Sequence, residues 1–413
     1  MAKEVLVLGA GMVGTCAALE LRLRGYEVTL LDRRAPGQEA SYGNAGLIQR
    51  EAVEPYSMPR DWRSLLTIAL NTGPHVHYHL QGLLSAAPQL LAYWKASAPA
   101  RHLAISHDYQ KLIAACIREH QRFIELASAG DLVRRDGLRV VYRTGGALDK
   151  ARRSARRVST IYGVRFNELD SHALAIAEPS FTSDLAGAVH WLDTWNVTDP
   201  GALVARYAAL YQQLGGQVVL GDATTLRPIP LGWQVRSSKG FLQAEHVVLA
   251  LGAEMRPLTR RLGYSWPLFE KRGYHRHFEQ GAKVNVPTLD EERGYVIAPV
   301  AQGLRITTGA EIAKLGAPST PRQLLSAEKS ARSMLYLGTA VESEPWVGNR
   351  PCCADMKPVI GMAPAHRGLW VNCGHGHQGF TLGPASARLL ADLIDGSTPF
   401  VPAEAFSPQR FSA

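Results

Sequence analysis

A Gly-x-Gly-x-x-Gly pattern at Gly9, Gly11 and Gly14 lies between an apolar strand and an apolar helix, close to the start of the chain. Gly9 permits a tight turn, Gly11 lets phosphates approach the backbone, and Gly14 lets the helix pack on the strand. The N–H groups at the start of that helix, around Met12 and Val13, would then face an anion. The pattern therefore predicts a binding site for the pyrophosphate of a dinucleotide.

An acidic residue completes this site. A second apolar strand, over residues 27–31, leads to Asp32, at the distance where a carboxylate accepts hydrogen bonds from a ribose hydroxyl of the same nucleotide. Arg33 comes next and offers a positive charge to a 2′-phosphate, which would favour NADP. These residues alone leave the identity of the dinucleotide open.

The elements that position the glycine turn are separated along the chain. Residues 60–190 interrupt the nucleotide-binding unit, which resumes with a helix capped by Asp199 and with strands over residues 217–220 and 247–251. Gly252 follows the second of these strands and forms another glycine turn. Together these elements predict a doubly wound sheet.

Two further regions complete the organisation. Residues 265–345 are predicted to form an antiparallel layer of strands, with a helix near residues 321–337. A strand, a glycine-rich turn and a long helix over residues 368–394 return the chain to the nucleotide-binding unit. The Pro-rich last residues, 399–413, are predicted to form an extended tail.

The composition excludes several classes of partner. The chain has 413 residues and a formal net charge of +9, but its basic residues are scattered, so no nucleic acid is expected. The densest basic cluster, residues 150–157, has the spacing of one helix face, and a solvated face is favoured over a contact with anionic lipid. The five cysteines show no metal-ligand or disulfide spacing, so no metal is predicted. No signal peptide is recognised, and a cytoplasmic location is expected.

Residues 64–94 contain no Lys, Arg, Asp or Glu. Gly73-Pro74 and Pro88 break this stretch into pieces shorter than the roughly twenty apolar residues that a membrane span needs. Two short helices are predicted instead. They either form a buried helical cap or lie in a bilayer interface with their leucines and Trp94 inserted, and both alternatives stay open.

Several motifs then occur in the order found in one flavoprotein family. The loop Ser41-Tyr-Gly-Asn-Ala-Gly46 follows the Asp32 strand, Arg350-Pro351 precedes a Pro-Val-Ile-Gly segment, and a glycine-rich turn covers residues 374–379. With these motifs the chain resembles the D-amino-acid oxidase superfamily, and within it the bacterial D-amino-acid dehydrogenases, over nearly its whole length. The resemblance implies that the dinucleotide is FAD.

The resemblance and the order of elements predict an α/β protein with α+β character in its substrate part. A Rossmann-like FAD-binding domain, residues 1–60, 191–260 and 346–413, would be interleaved with an antiparallel-sheet substrate or cap domain, residues 61–190 and 261–345.

The resemblance also assigns residues to FAD. The small residues Ser41, Asn44, Ala45 and Gly46 would pass along the pyrophosphate and one face of the flavin without steric conflict. Gly252 would lie near the adenosine.

The C-terminal turn would contribute His377, Gln378 and Gly379, where the start of a helix stabilises negative charge on the flavin. Cys352 and Cys353 lie too late in the chain to match the cysteine that attaches FAD covalently in sarcosine-oxidase-like relatives. Non-covalent FAD is therefore predicted.

Three residues are predicted at the substrate. By the resemblance, Arg350 corresponds to the substrate-binding arginine of glycine oxidase and D-amino-acid oxidases, where a guanidinium matches a carboxylate bidentately. The alternative is a surface arginine after a turn. Tyr274 is expected to border the substrate, with His275 on the opposite face of the same strand. His375, like His377, either bonds to substrate or flavin or braces the turn.

The implied activity is oxidation of a D-amino acid by hydride transfer from its Cα to flavin N5, with D-hydroxyproline or D-proline as the favoured substrate. Electrons would pass to a quinone or a redox partner, and peripheral contact with the cytoplasmic face of the inner membrane is an accompanying hypothesis. Two alternatives stay open. One is an oxidase of glycine or sarcosine type that uses oxygen, and the other is an FAD-bearing electron-relay subunit of a heteromeric amine dehydrogenase.

Overall fold

The computed structural model describes residues 4–412. Its strands, in chain order, are β1 (Glu4–Leu8), β2 (Glu27–Asp32), β3 (Leu47–Ile48), β4 (Val76–Tyr78), β5 (Val133–Arg134), β6 (Leu138–Tyr142), β7 (Phe166–Asp170), β8 (Gly187–Trp191), β9 (Trp195–Val197), β10 (Gln217–Ile229), β11 (Gly232–Ser237), β12 (Gly240–Ala244), β13 (His246–Leu249), β14 (Leu268–Glu279), β15 (Thr288–Asp290), β16 (Tyr295–Val300), β17 (Gly303–Thr308), β18 (Ala310–Ile312), β19 (Thr339–Ala340), β20 (Trp346–Cys353), β21 (Val359–Met362) and β22 (Leu369–Cys373). Its α-helices are α1 (Met12–Leu23), α2 (Trp62–Ala69), α3 (Leu80–Ala96), α4 (Pro99–Leu126), α5 (Gly145–Tyr162), α6 (Ser171–Ala177), α7 (Pro200–Gln213), α8 (Met255–Arg261), α9 (Arg322–Arg332) and α10 (Gly379–Asp395).

The first sheet carries the glycine turn. Its parallel strands follow the order β10-β2-β1-β13-β22, and the antiparallel strands β11, β12 and β21 extend it at the two edges. Leu8 pairs with both Leu31 and Leu249, so β1, β2 and β13 end at the same edge. Ligands of such sheets bind outside the carboxyl ends of the strands. The predicted doubly wound sheet is confirmed.

Both faces of these parallel strands are covered. Val5 and Val7 of β1 belong to a buried cluster that includes α1, α4, α7 and α10. Leu6 and Leu8 belong to a second cluster, which includes Trp233 of β11 and residues of α8. Alternate residues of a strand face opposite sides, so the sheet is enclosed between helices and the β11–β12 hairpin. Asp199 caps α7 as predicted, because its carboxylate accepts from the N–H of Ala202.

The second sheet confirms the antiparallel layer predicted for residues 265–345, because the strands of this region pair antiparallel with one another, and two parallel pairs add strands from outside it. Its strand order is β4-β18-β14-β17-β16-β15-β6-β8-β7, with β19 and β20 also paired to β14. The pairs β4–β18 and β6–β15 are parallel. The strands of each pair are joined by long connections rather than hairpins, which permits the parallel direction. A small third sheet has the order β3-β9-β5.

Strand β20 lies in the predicted FAD-binding domain but pairs with β14 of the second sheet, from Leu268 opposite Cys353 to His275 opposite Trp346. The chain thus passes from the second sheet to the first between β20 and β21. The division into two discontinuous domains stays a prediction, and residues 1–3 and 413 of its outer segments lie outside the described residues.

Residues 399–412 pack on the protein, so the expectation of an extended tail is corrected for them. Phe406 is fully buried. Arg410 pairs with Asp355 at 2.8 Å and donates to the carbonyl of Pro358. The paired guanidinium attaches this segment to the loop after β20, and Phe406 packs into the cluster that includes α1 and α10.

The uncharged segment forms α2, β4 and α3, as the prediction of two short helices requires. Every side chain of α2 remains at least partly exposed, whereas α3 buries Gly82, Ala86 and Tyr93. Among residues 4–412, no helix is long and apolar enough to cross a membrane.

The predicted basic helix is α5. Arg156 and Arg157 pair with Glu168 and Glu54 at 2.7 and 2.6 Å. Both arginines are exposed and already have carboxylate partners, which agrees with the favoured interpretation of a solvated face.

Candidate active site

A long cavity of about 990 Å³ runs from the carboxyl ends of β1, β2 and β13 to the second sheet. Most of the predicted site residues line it. They are Gly9, Gly11, Met12, Val13, Asp32, Arg33, Ser41, Asn44, Ala45, Gly252, Tyr274, Arg350, His375, His377 and Gly379.

The glycine turn has the predicted geometry. Gly9 has φ +107°, and a Cβ at this position would lie 2.4 Å from the carbonyl oxygen of Ala250. A Cβ at Gly14 would lie 1.8 Å from the carbonyl oxygen of Gly9, so Gly14 serves helix–strand packing and not the cavity wall. One detail differs from the expectation. The N–H of Met12 donates to Ser41 Oγ at 2.9 Å and is not directed at an anion.

Asp32 and Arg33 together favour an unphosphorylated ribose. The carboxylate of Asp32 is held at the turn by the N–H of Ala10. Arg33 pairs with Glu39 at 3.0 Å and Glu254 at 3.5 Å, and the bond to Glu39 raises the pKa of Arg33. A 2′-phosphate would have to compete with these two carboxylates for the guanidinium.

The loop after Asp32 is fixed from both sides. Asn44 Oδ1 accepts from the N–H of Gly46 at 2.8 Å. Gly46 faces the carbonyl oxygen of Val197, where a Cβ would come within 2.2 Å, and its predicted place on the cofactor stays a prediction. Arg305, which sequence reasoning missed, donates to the carbonyls of Tyr42 and Asn44. Burial lowers the pKa of Arg305 to about 10.

The C-terminal turn supplies neutral imidazoles to the cavity. Burial lowers the pKa of His375 to about 3. Burial, together with Arg350 and Lys271, lowers the pKa of His377 well below its ordinary value. Both rings are therefore uncharged near neutral pH. Gln378 lies behind the turn and lines a smaller adjoining cavity.

Arg350 lies on β20 and faces the cavity. Its guanidinium donates to the carbonyls of Gly309 at 2.8 Å and Thr308 at 3.2 Å and rests on Gly273, where a Cβ would come within 2.5 Å of it. Within residues 4–412, no carboxylate lies at ion-pair distance from this guanidinium. Burial lowers the pKa of Arg350, because removal from water disfavours a charge without an ionic partner.

Tyr274 lines the cavity, and its role at the substrate stays a prediction. Arg350 is directly opposite Lys271 across the strands and covers Gly273, so odd-numbered residues of this part of β14 share its face. Tyr274 is on the other face, where its hydroxyl donates to Glu311 at 2.6 Å. His275 is on the face of Arg350. A single strand shows which residues alternate but not which set faces the ligand.

Lys271 is a second cation on this face, and sequence reasoning missed it. It lines the same cavity as Arg350, and its ammonium group donates to the hydroxyl of Tyr93 at 3.3 Å. The ammonium also lies 4.4 Å from the ring centroid of Tyr93 and 5.6 Å from that of Phe269. No carboxylate of the described chain pairs with it.

Trp346 forms a wall next to these cations. Its ring stacks on His275, with centroids 4.7 Å apart and planes 13° apart. A Cβ at Gly43 or at Gly348 would come within 2.0 Å of this ring. Two glycines thus leave room for one flat side chain beside the 41–46 loop.

One group has the residue types of a metal site. His275, His277 and Glu342 place possible ligand atoms within 4.8 Å of one another. However, Arg305 Nε donates to His277 Nε2 at 2.8 Å, and His277 Nδ1 bonds to Glu342. The nitrogens of His277 are therefore engaged beside a positive guanidinium, which opposes cation binding.

The residues present fit a flavin dinucleotide. The cavity is bounded by the glycine turn at one end, and near the C-terminal turn several buried polar atoms lack a protein partner. These atoms are both amide atoms of Asn372, Nε2 of His375 and Oε1 of Gln378. Buried polar atoms normally have hydrogen-bond partners, so a polar ligand in the cavity accounts for them.

Comparison with known proteins covers nearly the entire chain. The FAD dependent oxidoreductase family, DAO, matches residues 4–393. A D-amino-acid oxidase of Bradyrhizobium diazoefficiens is 29% identical over 99% of both chains. A D-amino acid dehydrogenase of Cereibacter sphaeroides is 30% identical over 99% of this chain and 96% of its own. The crystal structure of glycine oxidase from Geobacillus kaustophilus has 20% identity and a TM-score of 0.72, with 98% of both chains covered.

Proposed function

The chain belongs to the DAO family of FAD-dependent oxidoreductases, and from this premise we propose that it dehydrogenates D-amino acids in the cavity that Arg350 faces. The predicted family, fold class and cofactor are confirmed. The observation that carries the proposal is the guanidinium of Arg350, which has no carboxylate partner of its own in the described chain. Such a group is suited to bind the α-carboxylate of an amino acid.

The glycine turn, Asp32 and the loop from Ser41 to Ala45 would hold FAD without a covalent bond. Bound FAD would supply the acceptor for the hydride, which carries both electrons away from the substrate Cα. Burial raises the pKa of Cys352, so its thiol is uncharged and a poor nucleophile at neutral pH. This supports the proposal of non-covalent attachment.

The residues around Arg350 contribute positioning. Gly309 and Thr308 fix its guanidinium through their carbonyls, and its remaining N–H groups stay available to a substrate. Neutral His377 lies beside Tyr56, with ring centroids 5.2 Å apart, and limits the space next to the carboxylate. A substrate held this way reacts once its amine is uncharged, and correct placement is the main requirement.

Two finer parts of the proposal rest on other features. The resemblance of the sequence favours the cyclic substrates D-proline and cis-4-hydroxy-D-proline. The exposed apolar side chains of α2 and α3 favour a quinone in a bilayer as the electron acceptor, with peripheral membrane contact.

The test is anaerobic bleaching of the FAD-bound protein by matched D- and L-amino acids, with glycine and sarcosine included. We expect D-amino acids alone to bleach the flavin rapidly. Arg350→Lys should raise KM by about 100-fold, since a bidentate contact is worth roughly 1.5–3 kcal/mol. A flavin that no amino acid reduces would instead favour an electron-relay subunit, and rapid oxygen consumption with glycine would favour an oxidase.

A further inference from the structure

The cavity contains two cations directly opposite each other on paired strands. Lys271 of β14 is the register partner of Arg350 on β20, and both side chains line the cavity. Cβ atoms of such partners are about 5 Å apart, and like charges in these positions destabilise a sheet. Neither cation has a carboxylate partner in the described part of the chain. The arrangement is therefore unfavourable unless an anionic ligand joins it.

The surroundings of Lys271 within residues 4–412 supply no carboxylate to its ammonium group. Its contacts are the hydroxyl of Tyr93 and the faces of two aromatic rings, Tyr93 and Phe269. Glu270 is next in sequence but is on the other face of β14, where it pairs with Arg256 at 3.5 Å. The fold thus keeps the neighbouring carboxylate away from the ammonium group.

Three glutamates line the smaller cavity that adjoins Lys271. Glu54 pairs with an arginine of α5, and Glu51 accepts two side-chain hydrogen bonds. Glu291 also lines the main cavity, and within the described residues it forms no ion pair with either cation. The local pattern of charges without a partner is therefore two cations and one carboxylate. A ligand with two carboxylates and one ammonium group has the complementary pattern.

We propose that this site selects acidic D-amino acids, with Arg350 binding the α-carboxylate and Lys271 binding the side-chain carboxylate. This inference rests on the proposed function and narrows its substrate class. It places acidic substrates ahead of the cyclic imino acids that the sequence resemblance favours. The short distance between opposite strand residues suits the few bonds that separate the carboxylates of aspartate or glutamate.

The first test compares isosteric substrates in the FAD-bound enzyme. We expect kcat/KM for flavin reduction to be at least about ten-fold higher for D-glutamate than for D-glutamine, and for D-aspartate than for D-asparagine. In Lys271→Met both ratios should fall towards about one. In Lys271→Arg, which restores the charge, they should recover in large part.

A binding measurement separates this role from a structural one. Succinate and butyrate are each titrated into the oxidised, FAD-bound enzyme, and their dissociation constants are measured from the change in flavin absorption. We expect Lys271→Met to raise the dissociation constant of succinate by about ten-fold or more, and that of butyrate by much less. Equal loss for both ligands would mean that Lys271 only braces Tyr93 or shares the α-carboxylate, and would overturn the inference.

The outcomes also distinguish the inference from the proposed function. If D-alanine and D-glutamine reduce the flavin but D-glutamate has no advantage over D-glutamine, the acidic specificity is wrong and D-amino-acid dehydrogenation stands. If D-proline has a higher kcat/KM for flavin reduction than every acidic substrate, the hypothesis of a cyclic substrate replaces that of an acidic one. If no D-amino acid reduces the flavin, both proposals fail.

Discussion

Gly273 determines where the guanidinium of Arg350 can lie. A methyl group at this position would come within 2.5 Å of the guanidinium nitrogens, which are the mobile end of a long side chain. The φ angle of Gly273 lies outside the left-handed region, so an alanine causes little backbone strain. The substitution therefore acts on the position of a charge rather than on the stability of the sheet.

We expect Gly273→Ala to raise KM for D-amino acids by about ten-fold, because the displaced guanidinium loses part of its bond to the carboxylate. The free energy of unfolding should change by less than about 1 kcal/mol. Steady-state kinetics and urea denaturation measure the two effects. Gly146→Ala is the matched control, since a Cβ there meets nothing within 4 Å. An unchanged KM in Gly273→Ala would argue against carboxylate binding by Arg350.

Residues of the site were predictable where a local motif identifies them. The glycine turn, Asp32 and Arg350 occur in short recognisable segments, and the structure brings them to one cavity. Lys271 and Tyr274 were not distinguishable, because strand alternation separates them but only the pairing with β20 shows which of the two shares a face with Arg350.

His120 connects three helices at the scale of elements. This fully buried residue of α4 bonds to the hydroxyl of Tyr207 on α7 at 3.2 Å and to the carbonyl of Phe380 on α10 at 2.9 Å. Burial lowers the pKa of His120 to about 4. The ring is thus neutral in the folded protein, with Nε2–H donating to the carbonyl and Nδ1 accepting from the hydroxyl.

The lowered pKa of His120 predicts a loss of stability in acid. Between pH 7 and pH 5 the unfolded chain takes up a proton at His120, near its ordinary pKa of about 6.5, while the folded protein does not. The free energy of unfolding therefore decreases as the pH is lowered from 7 to 5, and His120 accounts for about 2 kcal/mol of this decrease. Urea denaturation of the wild type and of His120→Gln at both pH values should show a smaller decrease in the variant. His107→Gln, an exposed position on the same helix, should keep the wild-type decrease. Equal decreases in all three proteins would contradict the assignment.

Elements formed by local sequence were predicted better than their partners. Both glycine-rich turns that precede helices, at α1 and α10, were recognised from strand, turn and helix signals. The parallel pairs β4–β18 and β6–β15 join segments far apart in the chain, and nothing in either segment specifies the other. The last residues contain Phe406, which is buried in the cluster that includes α1 and α10, and Arg410, which pairs with Asp355 in the loop after β20. The local sequence of this segment specifies neither contact.

At the scale of the molecule, the two sheets produce one site. The first sheet presents the carboxyl ends of its parallel strands, and the second presents Arg350 and Lys271 across the cavity. Sequence reasoning predicted both layers, but it placed β20 only in the first. The pairing of β20 with β14 is what brings the cations next to the C-terminal turn.

An exposed apolar face lies outside this cavity. Trp62, which is 68% exposed, and Leu66 lie one turn apart on α2, and Leu80 and Leu84 are exposed on α3. Other residues of these helices, including Leu83, line the cavity, so the exposed face and the cavity are connected through the same two helices. A lipid-soluble acceptor could reach the cavity from this side. Contiguous exposed apolar surface is typical of a membrane or protein contact.

We expect the protein to bind vesicles that contain phosphatidylglycerol, because its net charge of +9 adds electrostatic attraction to the apolar contact. Leu66→Ser combined with Leu84→Ser should lower the vesicle–water partition coefficient by about ten-fold or more. Each inserted leucine contributes roughly 1–2 kcal/mol to membrane binding. Co-sedimentation measures the effect. Leu231→Ser, at an 88% exposed leucine in the β10–β11 turn, should leave binding unchanged. Wild-type protein that stays in the supernatant would refute membrane contact, and reduction of a water-soluble acceptor would then be the route to examine.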